Sequence, residues 1–266
     1  MITTLGEIVD AAKGRGRRRM AVCETGEGVA LRAARRAREE GLIDLLLVRE
    51  RERALELLRS GEADLVLEGQ PLDGGLLRSL HEKGLISRRS LSYASLFEGE
   101  VKLVIFTDTY VNSYPDVGKK AGIIENAVEL SHLLGVQEPK VAVLSAIELV
   151  NPSMRSTLDA AALSKMAERG QFGKVLVEGP LAMDNATSAE AARIKGIANP
   201  VSGDADIYLV PDGETGFLLT ELLYLYGRRR MAGALLGTEV PLVPVLEWDD
   251  PESLFFSIAL AVLRSR

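Results

Sequence analysis

Residues 139–212 read PKVAVLSAIELVNPSMRSTLDAAALSKMAERGQFGKVLVEGPLAMDNATSAEAARIKGIANPVSGDADIYLVPD, and the fold is decided there. Three short apolar runs, 141–144, 175–177 and 207–210, are β-branched or leucine-rich and end in polar or turn-forming clusters. Strands buried on both faces of a parallel sheet have this form. Alanine-rich segments at 157–169 and 188–195 lie between them, with helical spacing and serines placed to cap. The spacing predicts a βαβαβ unit. Ligands of open parallel sheets bind outside the carboxyl ends of the strands. Glu148, Asn151, Glu178, Gly179, Pro180, Asp184, Asn185, Gly203, Asp204 and Asp212 gather at those ends.

Working outward, the first 70 residues alternate helix and strand. Helices are expected at 4–13, 27–40 and 50–60, and strands at 20–23, 44–48 and 64–68. A helix at 75–83, an alternating segment at 90–96, a strand at 103–106 and a long helix at 117–134 lead into the central unit. After it come a helix at 216–226, strands at 231–236 and 241–245, and a last helix at 250–264 that starts Asp-Pro-Glu. An acid and a proline in the first turn suit the positive end of a helix. Alternation of this kind predicts an α/β protein with largely parallel sheets and right-handed crossovers. The expected division is a first α/β domain of residues 1–138 plus 240–266 and a second of 139–239, with a cleft between them.

Composition narrows the function classes. The net charge of −6 gives no electrostatic case for nucleic acid or an anionic membrane. The basic run Arg15 to Arg19 reads as a solvated lead-in to the first strand. One cysteine, Cys23, excludes an internal disulfide and suits a reducing cytoplasm, and its strand position favours packing over nucleophilic duty. The two histidines, His81 and His132, are far apart, so no His/Cys metal spacing exists and no metal is expected. No signal-peptide core or membrane-length apolar run is present, which points to a cytoplasmic chain without membrane partners.

The runs NPSMRSTLDAAALSKMAERGQ, EGPLAMDNA, KG and SGDADI-LVPD, with the earlier Thr107-Asp108 and Asn112-Ser-Tyr-Pro115, resemble the phosphate acetyl/butyryltransferase family, nearest its butyryl branch. The resemblance implies two α/β domains of the isopropylmalate-dehydrogenase-like kind. It also implies an acyl group moved between coenzyme A and phosphate, no permanently bound cofactor, and a homodimer or larger homo-oligomer. Against that pattern the segment between Val48 and Gly61 is short by about one βα element, since a crossover needs about 10–12 residues.

The chemistry needs donors for phosphate, a base or electropositive setting for the thiol, and donors for the developing oxyanion. The resemblance assigns Glu252 or Asp249 to the thiol. It places Asn151, Ser156, Gly179, Pro180, Asp184, Thr107 and Asn112 as candidate substrate contacts. Capping and turn geometry are the competing reading for Asn151, Ser156, Asp184 and Gly203. Several positions depart from the family pattern: Leu246-Glu247 stand for a Ser-Arg pair, Phe217 and Glu221 fall in a GN--YK motif, and Glu68 stands for a lysine. A carboxylate at about 4 Å would repel phosphate by about 4 kcal/mol at an effective dielectric of 20. Asp159, Lys165 and Asp206 are further polar candidates, and Arg78, Arg88, Arg89 and Arg155 are candidate replacement cations. Two functions therefore stand at this point. One is a phosphate butyryltransferase-like acyltransferase, using phosphate or another acceptor. The other is an inactive or repurposed relative that binds acyl-CoA or a protein.

Overall fold

The computed structural model describes residues 1–24, 26–87 and 90–265. Two compact units divide the chain: Met1–Thr3 with Ser92–Arg229, and Thr4–Leu91 with Arg230–Arg266. Both are α/β, with sheets that are largely parallel. The expected boundaries at 138/139 and 239/240 are corrected to 91/92 and 229/230. The reason lies in strand pairing, because Leu103–Thr107 hydrogen-bonds in parallel with Ile207–Leu209, so the 92–138 segment belongs with the central unit.

The central unit holds β4 (Ser92–Glu98), β5 (Leu103–Thr107), α5 (Val117–Leu133), β6 (Lys140–Leu144), α6 (Arg155–Glu168) and β7 (Leu176–Leu181). It continues through α7 (Met183–Thr187), α8 (Ala189–Ile194), β8 (Ile207–Leu209) and α9 (Gly213–Glu221). The strands lie in the order β7-β6-β8-β5-β4, parallel except where β4 runs against β5. Val141, Val143, Ile105, Ile207 and Leu209 are all buried, as continuous apolar runs require. The single helix expected at 188–195 is preceded by a short one, and Ser188 separates them. Its hydroxyl accepts from the Ala191 amide at 3.2 Å and so starts α8 afresh. The helix expected at 216–226 instead begins at Gly213, capped by Asp212, and finishes as a π-helical turn over Leu222–Tyr226.

The second unit carries α1 (Leu5–Lys13), β1 (Arg18–Cys23), α2 (Val29–Glu39), β2 (Ile43–Val48), α3 (Arg51–Arg59), β3 (Leu65–Pro71) and α4 (Gly74–Glu82). After residue 229 it adds β9 (Met231–Leu236), β10 (Leu242–Val245) and α10 (Pro251–Arg264). Its parallel sheet runs β10-β3-β1-β2. Helix α10 is almost wholly apolar and returns to pack on α1, α2 and β9, which is why the last helix is the core of this unit. Asp250 opens it with a capping box: its carboxylate accepts from Ser253 N–H, and the Ser253 hydroxyl accepts from Asp250 N–H.

The basic lead-in is a paired surface, with Arg17 on Asp44 and Arg19 on Asp64. Cys23 is buried in β1, and burial pushes its thiol up to about 11, leaving it unreactive near neutrality. Among the described residues no helix is long and apolar enough to cross a membrane, and no cluster of His, Cys, Asp and Glu has metal-holding geometry.

Candidate active site

At the carboxyl edge of the central sheet, β5 and β8 are parallel neighbours, so the chain leaving each emerges side by side. After β5 it turns through Asp108 to Pro115; after β8 it enters α9. Asp108 organises the first of these turns. It is almost fully buried, and its carboxylate accepts from the amides of Tyr93 at 2.9 Å, Tyr110 at 3.1 Å, Val111 at 3.0 Å and Asn112 at 2.9 Å, and from the Asn112 side chain. Burial pushes this carboxyl up while those donors pull it back. The Thr107-Asp108 peptide is cis.

Helix α9 sits directly on this turn. A Cβ at Gly216 would stand 2.7 Å from the Asp108 carbonyl oxygen and 2.9 Å from Thr109 Cα, so only glycine fits. Gly213 N–H donates to the Ser113 carbonyl at 2.9 Å. A cavity of about 400 Å³ opens there, lined by Thr109, Tyr110, Ser113, Gly213, Glu214, Phe217 and Leu218. The rings of Tyr110 and Phe217 lie 5.7 Å apart, and Tyr93 backs Tyr110 at 6.0 Å. Thr107 and Asn112 therefore belong to this turn, Thr107 buried and Asn112 bound to Asp108. The hub itself, Asp108, lies inside the Thr-Asp motif.

Along the same edge, β6 and β7 carry the remaining candidates. The Asn151 carboxamide accepts from Ser153 N–H at 2.9 Å, and the Thr157 hydroxyl accepts from Asn151 N–H at 2.9 Å, so Asn151 orders the loop into α6. The N-cap residue of α6, Met154, makes no side-chain capping bond, and in the first turn Ser156 shares a hydrogen bond with Ser145 at 2.8 Å. The Gly179-Pro180 peptide is cis, and a Cβ on Gly179 would meet Val143 at 2.8 Å. Asp184 pairs with Lys195 at 2.9 Å, and this partner holds its carboxyl below the usual range. Lys195 also reaches Glu148 at 3.3 Å.

Other polar candidates are committed to structure. Asp159 is buried against Lys120 at 2.8 Å, Lys165 pairs with Glu168, and Asp204 and Asp206 share Lys102. Arg155 lies 3.6 Å from Asp159, and Arg78 is exposed on α4. Arg88 and Arg89 lie outside the described residues.

The two candidate acids sit in the second unit, in the turn from β10 into α10. Asp249 is partly buried and accepts from Leu246 N–H at 2.7 Å and from the Ser253 hydroxyl at 3.2 Å. Burial pushes its carboxyl up to about 7. Glu252 is exposed in the first turn of α10, and Glu247 is exposed beside the buried Leu246. Glu68 is buried, yet it holds Arg51 at 3.0 Å, and Arg51 also reaches Asp73 at 3.3 Å. The acid at this position thus has its own cation.

Strand ends of parallel sheets and partly apolar cavities are where α/β proteins take up small molecules. Residues 52–261 match the phosphate acetyl/butaryl transferase family, and the chain belongs to that family. It is 36% identical to the phosphate butyryltransferase of Clostridium acetobutylicum, over 99% of this chain and 98% of that protein. That alignment runs over 296 positions, more than the 266 residues present here, so the relative carries residues this chain lacks. A phosphate acetyltransferase of Rhizobium meliloti is 40% identical over 79% of this chain and 68% of that one. Among solved structures, a branched-chain phosphotransacylase from Enterococcus faecalis V583 superposes with a TM-score of 0.81 at 28% identity, over 94% of this chain and all of that one (100%).

Proposed function

We propose that this chain is a phosphate butyryltransferase-like acyltransferase, moving an acyl group between the sulfur of coenzyme A and inorganic phosphate. The near end-to-end similarity to a phosphate butyryltransferase carries this reading. Acyl-CoA and phosphate are then its substrates, with no permanently bound cofactor, and the working form is a cytoplasmic homo-oligomer.

Asp249 suits the role of base. A carboxyl titrating at about 7 is half ionised at neutral pH, and a general base works best near the operating pH. In the direction that makes acyl-CoA, the Asp249 carboxylate takes the proton from the thiol of coenzyme A. The thiolate attacks the carbonyl carbon of the acyl phosphate; the carbon–oxygen bond to phosphate breaks, and phosphate leaves with the electron pair. In reverse, phosphate attacks the thioester and the departing thiolate recovers the proton. Glu252 is the lesser candidate because its exposed setting gives it no comparable environment.

For phosphate, the favoured contacts are Ser156 and the uncapped amides at the start of α6, an arrangement suited to anions. Asn151, Gly179 and Pro180 shape the backbone along that sheet edge, and Asp184 acts by holding Lys195. Thr107 and Asn112 hold the turn after β5. The test is release of free thiol from butyryl-CoA with and without phosphate. Phosphate-dependent release is expected, and Asp249→Asn should abolish most of it. No release from acetyl-, butyryl- or longer acyl-CoAs would overturn the reading.

A further inference from the structure

We infer that the cavity between the turn after β5 and helix α9 receives the acyl group, and that its aromatic wall selects a bulky aryl chain over acetyl. The inference rests on the acyl-transfer reading and adds to it the class of acyl group.

Charge decides which part of a substrate enters. Glu214 stands on the cavity wall, and the positive end of α9 is already occupied, since the Asp212 carboxylate accepts from Thr215 N–H at 2.8 Å. A second anion gains nothing from that helix end and meets the Glu214 carboxylate. Phosphate groups are thereby disfavoured, and a neutral chain is not.

Shape and packing decide the kind of chain. At about 400 Å³ the cavity falls within the size of small-molecule sites, roughly 300–1,000 Å³. A two-carbon acyl group would leave most of it to water and forgo most of the apolar contact. The apolar part of its lining is Tyr110, Phe217 and Leu218. The two rings are tilted 42° to each other, and Tyr93, almost wholly buried, packs against Tyr110 at 6.0 Å between ring centroids. Phe217 follows Gly216, where a Cβ would lie 2.7 Å from the Asp108 carbonyl oxygen, so the backbone of α9 runs close against the turn that carries Tyr110. A third ring entering this preset pair gains edge and face contacts beyond simple burial.

The experiment compares phenylacetyl-CoA with acetyl-CoA, each with phosphate, in the wild type, Phe217→Ala and Leu218→Ala. Wild type should favour phenylacetyl-CoA in kcat/KM by about tenfold or more. Phe217→Ala should lower that ratio about tenfold, and Leu218→Ala, whose side chain is 64% exposed and tolerant of truncation, about threefold. A wild-type preference for acetyl-CoA, or a ratio unmoved in both variants, overturns the assignment while leaving phosphate-dependent turnover standing. If no acyl-CoA turns over, the enzyme reading fails on its own, and calorimetry with the same two thioesters decides the cavity. Tighter phenylacetyl-CoA binding that Phe217→Ala removes upholds it, and equal affinities overturn it.

Discussion

Asp108 and Asp249 are both aspartates drawn out of water in the turn that follows a strand, and they have opposite uses. Asp108 faces four backbone amides and the Asn112 side chain. Asp249 faces one amide and one hydroxyl, and part of it remains in reach of solvent. Burial raises both carboxyls, but the number of donors differs. A carboxylate whose lone pairs are all spoken for is a structural pin. One with spare capacity and a midpoint near 7 exchanges protons. Donor count, more than burial, separates the two.

The sharpest way to break this contrast is to remove each charge in turn. Asp249→Asn should cut kcat/KM for butyryl-CoA and phosphate by about a hundredfold to ten-thousandfold, as loss of a general base does, with an unchanged denaturation midpoint or a higher one at pH 8. An active Asp249→Asn would move the base elsewhere. Asp108→Asn turns an acceptor into a donor facing N–H groups. It should lower stability by about 3 kcal/mol, read as a fall in the urea midpoint at constant slope. A stable Asp108→Asn would remove the pin from the comparison.

Titration sharpens it further. A base with a midpoint near 7 makes kcat/KM rise with pH up to about 7 and then level off. The sign for stability is the reverse. The folded carboxyl binds its proton more tightly than the unfolded one, ordinarily near 3.8, so the stabilising protonated form is lost as pH climbs from about 4 to 7. Urea midpoints should fall across that window, and Asp249→Asn should flatten the slope. The smallest effect is expected from Ser253→Ala, which leaves Asp249 one donor. The acidic limb of the rate profile should move up by about half a pH unit, with some added loss of helix capping.

Much of this architecture is legible in the chain itself. The runs at 141–144, 175–177 and 207–210 are apolar on both faces, and each became a strand in the expected parallel arrangement. The last helix was legible through its Asp-Pro-Glu start, which the capping box bears out. The unit boundary was not, because whether 103–107 pairs with β8 or with a strand of the other unit is a long-range choice that short apolar runs do not encode. Asp108 carries no sequence signal of its role, because nearly all its donors are backbone amides, three from the adjoining turn and one from Tyr93. Asn112, itself a candidate substrate contact, is one of the groups Asp108 holds. The raised midpoint of Asp249 could not be read from sequence either, because it depends on packing around the turn into α10.

The Glu68–Arg51 pair bears on how this chain can change. The resemblance places a lysine at position 68, where a glutamate is buried against Arg51. Restoring lysine alone would leave two cations facing each other out of water, a costly arrangement. Restoring it together with a neutral residue at 51 would not. The two positions are thus epistatic: neutralising Arg51 first would in turn strand the buried Glu68 carboxylate without its cation, so a change at either site is tolerated only when both change together.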